Sequence, residues 1–211
     1  MSSEREPALR ADARRNRDRI VTAAKECFAS HGADVPVEEI ARTAGVGVGT
    51  LYRRFPDRGA LIRAVARDSF SRALVEARAA VEEEATAWQA LVRFLRQSSE
   101  LQLSVRLAMA SPLARSIIKD DPSTEQSRRA MLGLLDDVVR MAQAEGSLRP
   151  DIGVGDVAMV FVLLLRQVPI PREESAQVAG ERCLAIMLDG LRARSATPLP
   201  ARPLSGADLG L

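Results

Sequence analysis

The segment Val37–Phe55 reads Val-Glu-Glu-Ile-Ala-Arg-Thr-Ala-Gly-Val-Gly-Val-Gly-Thr-Leu-Tyr-Arg-Arg-Phe, and it leaves fewer folds open than any other part of the chain. Two short helices that cross closely need a small residue in the first, and Ala41 supplies it. They need a turn residue that accepts positive φ four positions on, and Gly45 stands there. Ile40, Val46 and Leu51 are placed to clamp the pair together. The spacing therefore predicts a helix-turn-helix over about residues 36–55, with Ala41, Gly45 and Leu51 shaping the turn. The other positions of the second helix then face outward. Such a helix fits a DNA major groove, its N-terminal residues nearest the base edges. Gly47, Val48 and Gly49 allow close approach, and Thr50, Tyr52 and Arg53 are the polar groups that reach phosphates or bases.

The surrounding sequence supplies a frame for that motif. Ile20, Ala23, Ala24, Cys27 and Phe28 form a helical stripe beginning near Ala13, and His31-Gly32 stops it. Pro36 suits the first turn of the next helix, where Glu38 and Glu39 complement the dipole. Pro56-Asp57 is a turn, with Asp57 capping a long helix from Arg58. Helical stripes continue to about Arg194 with no strand-like alternation or internal repeat. The scarcity of aromatic residues (3%) among abundant Ala, Leu, Val, Arg and Glu agrees with helices. The expected fold is all-α, with about nine helices. Residues 1–12 read as a flexible arm, 13–72 as a three-helix DNA-binding head, 73–195 as a helical body and 196–211 as a disordered tail. Asp156–Val168 is apolar nearly all round and is expected to be buried on most sides. Through Ala60 the chain holds eleven bases and nine acids, so the whole net charge of +2 is accounted for by the N-terminal region. That is the modest basic bias phosphate contact requires.

The run Gly45-Val46-Gly47-Val48-Gly49-Thr50-Leu51-Tyr52-Arg53-Arg54-Phe55-Pro56, followed by Asp57-Arg58-Gly59-Ala60-Leu61, resembles the TetR family of bacterial regulators over roughly residues 13–72. The resemblance implies a homodimer whose heads bind a palindromic double-stranded operator, and a body that dimerises and binds a small-molecule effector. By position it implies that Thr50 and Tyr52 grip phosphates and that Arg53 contacts bases or backbone. Thr43 is a further phosphate candidate, Arg58 stands where a backbone-touching lysine is common, and Arg14 and Arg15 lie beside the DNA. Gly47 departs from the hydroxyl residue often found there, and Val35 from a common threonine cap. The family mostly represses, so the expected function is a repressor released by its effector. The alternative is a helical carrier or enzyme with a vestigial head.

In the body, Trp88, Phe94, Met109, Met131 and Leu135 either line a pocket or fill core. Arg106 and Arg166 lie in apolar stretches, where a buried arginine is a salt-bridge member or a ligand anchor. The last two helices, about Asp156–Val168 and Glu173–Arg194, are the candidates for a dimer interface built as a four-helix bundle. Catalysis finds little support, because His31 is the only histidine and any Ser-His-Asp or Cys-His arrangement would need it. No metal site or cofactor is expected: Cys27 and Cys183 have no metal-type spacing, and Gly45-x-Gly47-x-Gly49 lacks the strand and lysine of a phosphate loop. The longest apolar run, Val157–Leu165, is far below the roughly 20 residues that span a membrane. With no secretory signal, the expected location is the cytoplasm.

Overall fold

Apolar residues recurring at three- and four-residue intervals organise the chain into helices. The computed structural model describes residues 5–97, 99–165, 173–194 and 197–209. Within them lie ten α-helices: α1 (Arg5–His31), α2 (Val37–Ala44), α3 (Val48–Arg54), α4 (Arg58–Glu83), α5 (Ala87–Gln97), α6 (Ser99–Ala110), α7 (Pro112–Lys119), α8 (Pro122–Ala144), α9 (Val154–Leu164) and α10 (Glu173–Leu191). A short 3-10 turn, Ala207–Leu209, follows. The chain divides into two compact units: residues 1–71 with 103–125, and residues 72–102 with 126–211.

The first unit holds the helix-turn-helix. Its core is sealed by Ile20 and Ala24 of α1, Ile40 and Ala41 of α2, Leu51 of α3, and Leu61, Ile62 and Val65 of α4. Each large side chain of this set contributes roughly 1.5–3 kcal/mol through burial. Gly32, at φ +78°, ends α1, its N–H donating to the Phe28 carbonyl at 3.0 Å. Asp57 accepts from the Ala60 N–H at 2.6 Å and so caps α4. Later chain also belongs here. Asp121, 3% exposed, caps the start of α8 by accepting from the Thr124 N–H and hydroxyl, both at 2.9 Å. Arg67 of α4 donates to both oxygens of the same carboxylate, Nε reaching Oδ2 at 2.9 Å. The hydrogen-bonded Arg67 guanidinium holds the Asp121 carboxyl down at about 2; burial opposes this, and the Thr124 bonds assist it.

In the second unit, Trp88 and Leu91 of α5, Met131, Leu135 and Val138 of α8, and Val157 and Phe161 of α9 form the core, and Phe94 and Phe161 meet with ring centroids 5.8 Å apart. Gly146, at φ +69°, closes α8. An isolated antiparallel bridge pairs Leu148 with Arg192.

Several expectations change. The first helix starts at Arg5 and not near Ala13, because Pro7 lies in the first turn, where its missing N–H is no loss. Pro36 is the residue before α2 and not its first, with extended backbone at ψ 139°. The tail, read as disordered from its prolines and glycines, is docked over residues 197–209. Asp156 Oδ2 accepts both from Gly153 N–H at 2.8 Å and from Leu204 N–H at 2.9 Å, and Gly155 N–H donates to the Leu204 carbonyl at 2.9 Å. Arg149 holds Asp151 at 2.8 Å and the Thr197 carbonyl at 2.7 Å, and Asp151 accepts from Leu199 N–H at 3.1 Å. A Cβ on Gly155 would lie 2.6 Å from the Ser205 carbonyl oxygen, so the tail requires glycine there. Helix α9 buries Val154, Gly155, Val157 and Phe161, leaves Met159, Val160, Val162 and Leu164 half-buried and Leu163 45% exposed, and residues 166–168 of the expected apolar stretch lie outside the described residues.

Candidate nucleic-acid interface

The turn between α2 and α3 follows from its glycine. Gly45 adopts the left-handed conformation, φ 63° and ψ 38°. Its N–H donates to the Arg42 carbonyl at 3.1 Å and the Val46 N–H to the Ala41 carbonyl at 3.0 Å, the paired bonds of a Schellman end. Arg19 of α1 completes the cap, its Nη2 donating to the Ala44 carbonyl at 2.7 Å. A cation at a helix C-terminus is favoured by the dipole. A Cβ on residue 45 would lie 2.7 Å from that same nitrogen, so the backbone favours glycine and any side chain would also have to displace the Arg19 tip. The sequence reading missed Arg19, because its partner lies 25 residues away on another helix.

Helix α3 is anchored by buried Leu51, with buried Phe55 following at its C-cap. Val48 and Thr50 are half-buried, and Gly47, Gly49, Tyr52, Arg53 and Arg54 are exposed. Tyr52 is 44% exposed. Arg53 Nη2 donates to Thr50 Oγ1 at 3.1 Å, so two of the expected contact groups brace each other on the open side of the helix. Gly47 is the N-cap of α3 with no side-chain cap, and an added Cβ there meets nothing within 4 Å. Thr43 is exposed at the end of α2 and accepts from the Cys27 thiol at 3.6 Å. Arg14 and Arg15 are exposed on α1, and Arg15 is ion-paired with Asp12. Arg58 is half-buried and donates to the Ala33 carbonyl, tying the start of α4 to the α1–α2 loop.

The expected pocket residues separate. Phe94, Met131 and Leu135 line an apolar cavity with Ala77, Leu91 and Val138, and its volume is about 10 Å³, at most the room of a single water. Trp88 lines a different, open groove of about 700 Å³. Met109 is 37% exposed and Arg106 is exposed, both in the first unit. Arg106 thus needs no buried partner: in a helix, one position in an apolar run still points outward. Arg166 lies outside the described residues. Among those residues no group of three His, Cys, Asp or Glu side chains is placed to hold a metal ion, and no helix is long and apolar enough to cross a membrane.

Comparison with known proteins agrees with this layout. The family model for bacterial regulatory proteins of the tetR family matches residues 20–65, and that for the C-terminal domain of SbtR-like transcriptional regulators matches residues 86–193. The chain is similar to the crystal structure of a TetR transcription regulatory protein from Mycobacterium vanbaalenii, at 33% identity and TM-score 0.62, covering 87% of this chain and 99% of that one. It is similar to a TetR transcriptional regulator from Streptomyces coelicolor at 30% identity and TM-score 0.61, covering 83% and 98%. A curated HTH-type transcriptional regulator of Staphylococcus aureus is 41% identical over 54 residues, 25% of this chain and 29% of its own length. The chain thus spans less than a third of that curated relative. With a matching head, a matching body and likeness along nearly the whole of two solved structures, the chain belongs to the tetR family of bacterial regulatory proteins.

Proposed function

We propose that the protein is a sequence-specific DNA-binding transcription regulator, a cytoplasmic repressor released from a palindromic operator by a small-molecule effector. The observation carrying this reading is the two-sided character of α3: Leu51 and Phe55 are buried while Tyr52, Arg53 and Arg54 stand exposed behind the Gly45 turn. That presents a short, glycine-lined helix start and a basic end to a duplex. Thr50, Tyr52 and Thr43 bind phosphates, and Arg53, braced by Thr50, reaches base edges or backbone. Gly47 and Val48 permit close approach, and Arg14 and Arg15 add phosphate contacts from α1. Arg58, engaged with Ala33, acts by holding the head together.

Two heads reading successive major grooves must sit about one helical turn apart, roughly 34–36 Å. A homodimer supplies them. Support for pairing through α9 and α10 comes from the apolar side chains these helices leave open, Val178 at 51% and Ile186 at 67% exposure beside Leu163. Two such pairs related by a two-fold axis make a four-helix bundle. An effector bound in the body that prefers the DNA-incompetent dimer tenfold shifts the equilibrium by about 1.4 kcal/mol.

The test is a gel shift on the promoter region beside the gene, with non-specific competitor and a salt series, using intact protein and Arg53→Ala. The expected result is selective retardation by the intact protein and loss of selectivity in the variant. Failure of the intact protein to bind at low salt overturns the proposal.

A further inference from the structure

We infer that the open groove at the start of α5 is a binding site for an organic carboxylate with a flat apolar portion, separate from the small apolar cavity around Phe94. Its volume of about 700 Å³ lies within the range of small-molecule sites, roughly 300–1,000 Å³. One wall is a single helical stripe of α5: Gln89, Val92, Arg93 and Arg96. The other is the chain after α8 and α10, where the Leu148–Arg192 bridge and the Ala193 N–H bond to the Ser147 carbonyl at 3.2 Å fix the backbone of Arg192. The Arg192 guanidinium lies over the ring of buried Trp88, 4.0 Å from its centroid.

The charges of this groove are unevenly committed. Glu84 accepts from Arg93 at 3.1 Å, and Arg93 also holds Glu83 at 2.9 Å. Glu145 accepts from the Ala87 N–H at 3.0 Å, at the start of α5. Glu84 and Arg93 are thus paired within the chain, and Glu145 is tied on one oxygen to the start of α5. Arg96 and Arg192 have no carboxylate within ion-pair reach among the described residues. Stacking on Trp88 occupies the face of the Arg192 guanidinium and leaves its N–H edge for a fork-like pair of bonds to a carboxylate. Thr86 Oγ1 accepts from the Gln89 N–H at 3.2 Å, and Ser147 donates its hydroxyl to the Ala142 carbonyl at 3.0 Å. What the groove offers outward is mainly the Arg96 and Arg192 donors around a small apolar floor of Val92 and the part of Trp88 that Arg192 leaves uncovered. Inorganic anions satisfy the donors alone and neutral aromatics the floor alone; an organic carboxylate satisfies both. The opposite side of α5 carries Leu91 and Phe94 of the small apolar cavity, so the same helix borders both.

This inference rests on reading the body as an effector-binding unit, and its test reads ligand and DNA separately. Trp88 is the only tryptophan and lines the groove, so its fluorescence gives a binding signal whose place the Arg96 variant then assigns. Phenylacetate, phenylacetamide and inorganic phosphate are titrated into the intact protein, with Arg96→Ala and Arg192→Ala as variants checked by circular dichroism. The expected result is a saturable change with phenylacetate only, weakened about tenfold or more by either substitution. Because Arg192→Ala also removes the ring stack, the exposed Arg96→Ala variant decides. An equal response to phenylacetamide or phosphate, no response to phenylacetate, or unchanged affinity in Arg96→Ala overturns the inference. Selective gel retardation by the same preparation keeps the DNA-binding reading intact whichever result is obtained.

Discussion

Substituting Gly45 by alanine sets two requirements of the helix-turn-helix against a single methyl group. The backbone there has φ 63°, and holding alanine in the left-handed region costs about 1–2 kcal/mol. The new Cβ would also lie 2.7 Å from Arg19 Nη2, which must withdraw from the Ala44 carbonyl it meets at 2.7 Å. Loss of that partly solvated, charge-assisted bond adds about 0.5–1.5 kcal/mol. The sum for Gly45→Ala is about 1.5–3.5 kcal/mol. In an Arg19→Ala background the guanidinium is already gone, so only the backbone part, about 1–2 kcal/mol, remains. The double variant should therefore be more stable than the two single losses predict, by about 0.5–1.5 kcal/mol. Urea unfolding of the four proteins, followed by far-ultraviolet circular dichroism, measures this cycle. An equal loss from Gly45→Ala in both backgrounds would refute the account of Arg19 as a cap that needs glycine beneath it.

Two further outcomes follow from features outside the turn. Asp121 is held at about 2 against an ordinary 3.8, so its charge stabilises the fold fully above its unfolded value and this contribution is lost as pH falls from about 4 towards 2. Asp121→Asn should destabilise by about 1–3 kcal/mol at neutral pH and flatten the acid dependence in that window, which unfolding at a series of pH values checks. Gly155→Ala puts a methyl group 2.6 Å from the Ser205 carbonyl oxygen and should lift the tail; hydrogen exchange at the Leu199 and Leu204 amides should accelerate about tenfold or more. Unchanged exchange there would show that the glycine is not what admits the tail.

The head was legible in the sequence because its determinants are local. Ala41, Gly45 and Leu51 act over intervals of a few residues, and Asp57 caps the next helix through an N–H three positions on. What escaped depends on distant partners. Arg19 looks like any surface arginine until α2 ends beneath it, and Arg67 gains its meaning from Asp121, 54 residues later. The tail has the composition of a disordered segment, and its order comes from Arg149, Asp151 and the Gly153–Asp156 notch, some 48 residues earlier. Arg106 and the pocket residues illustrate a related limit. Helical spacing shows which side chains are apolar, but not which of several faces the neighbouring helices cover.

The compact unit that contains the helix-turn-helix also draws in residues 103–125, with Ile117 against Gly59 and Asp121 holding Arg67. An isolated fragment ending near residue 72 would leave Arg67 without its carboxylate and the start of α4 at Gly59 without Ile117. Any chimaera that transplants this reader onto another body must therefore carry α7 and the start of α8 along with it, as a second, non-contiguous graft.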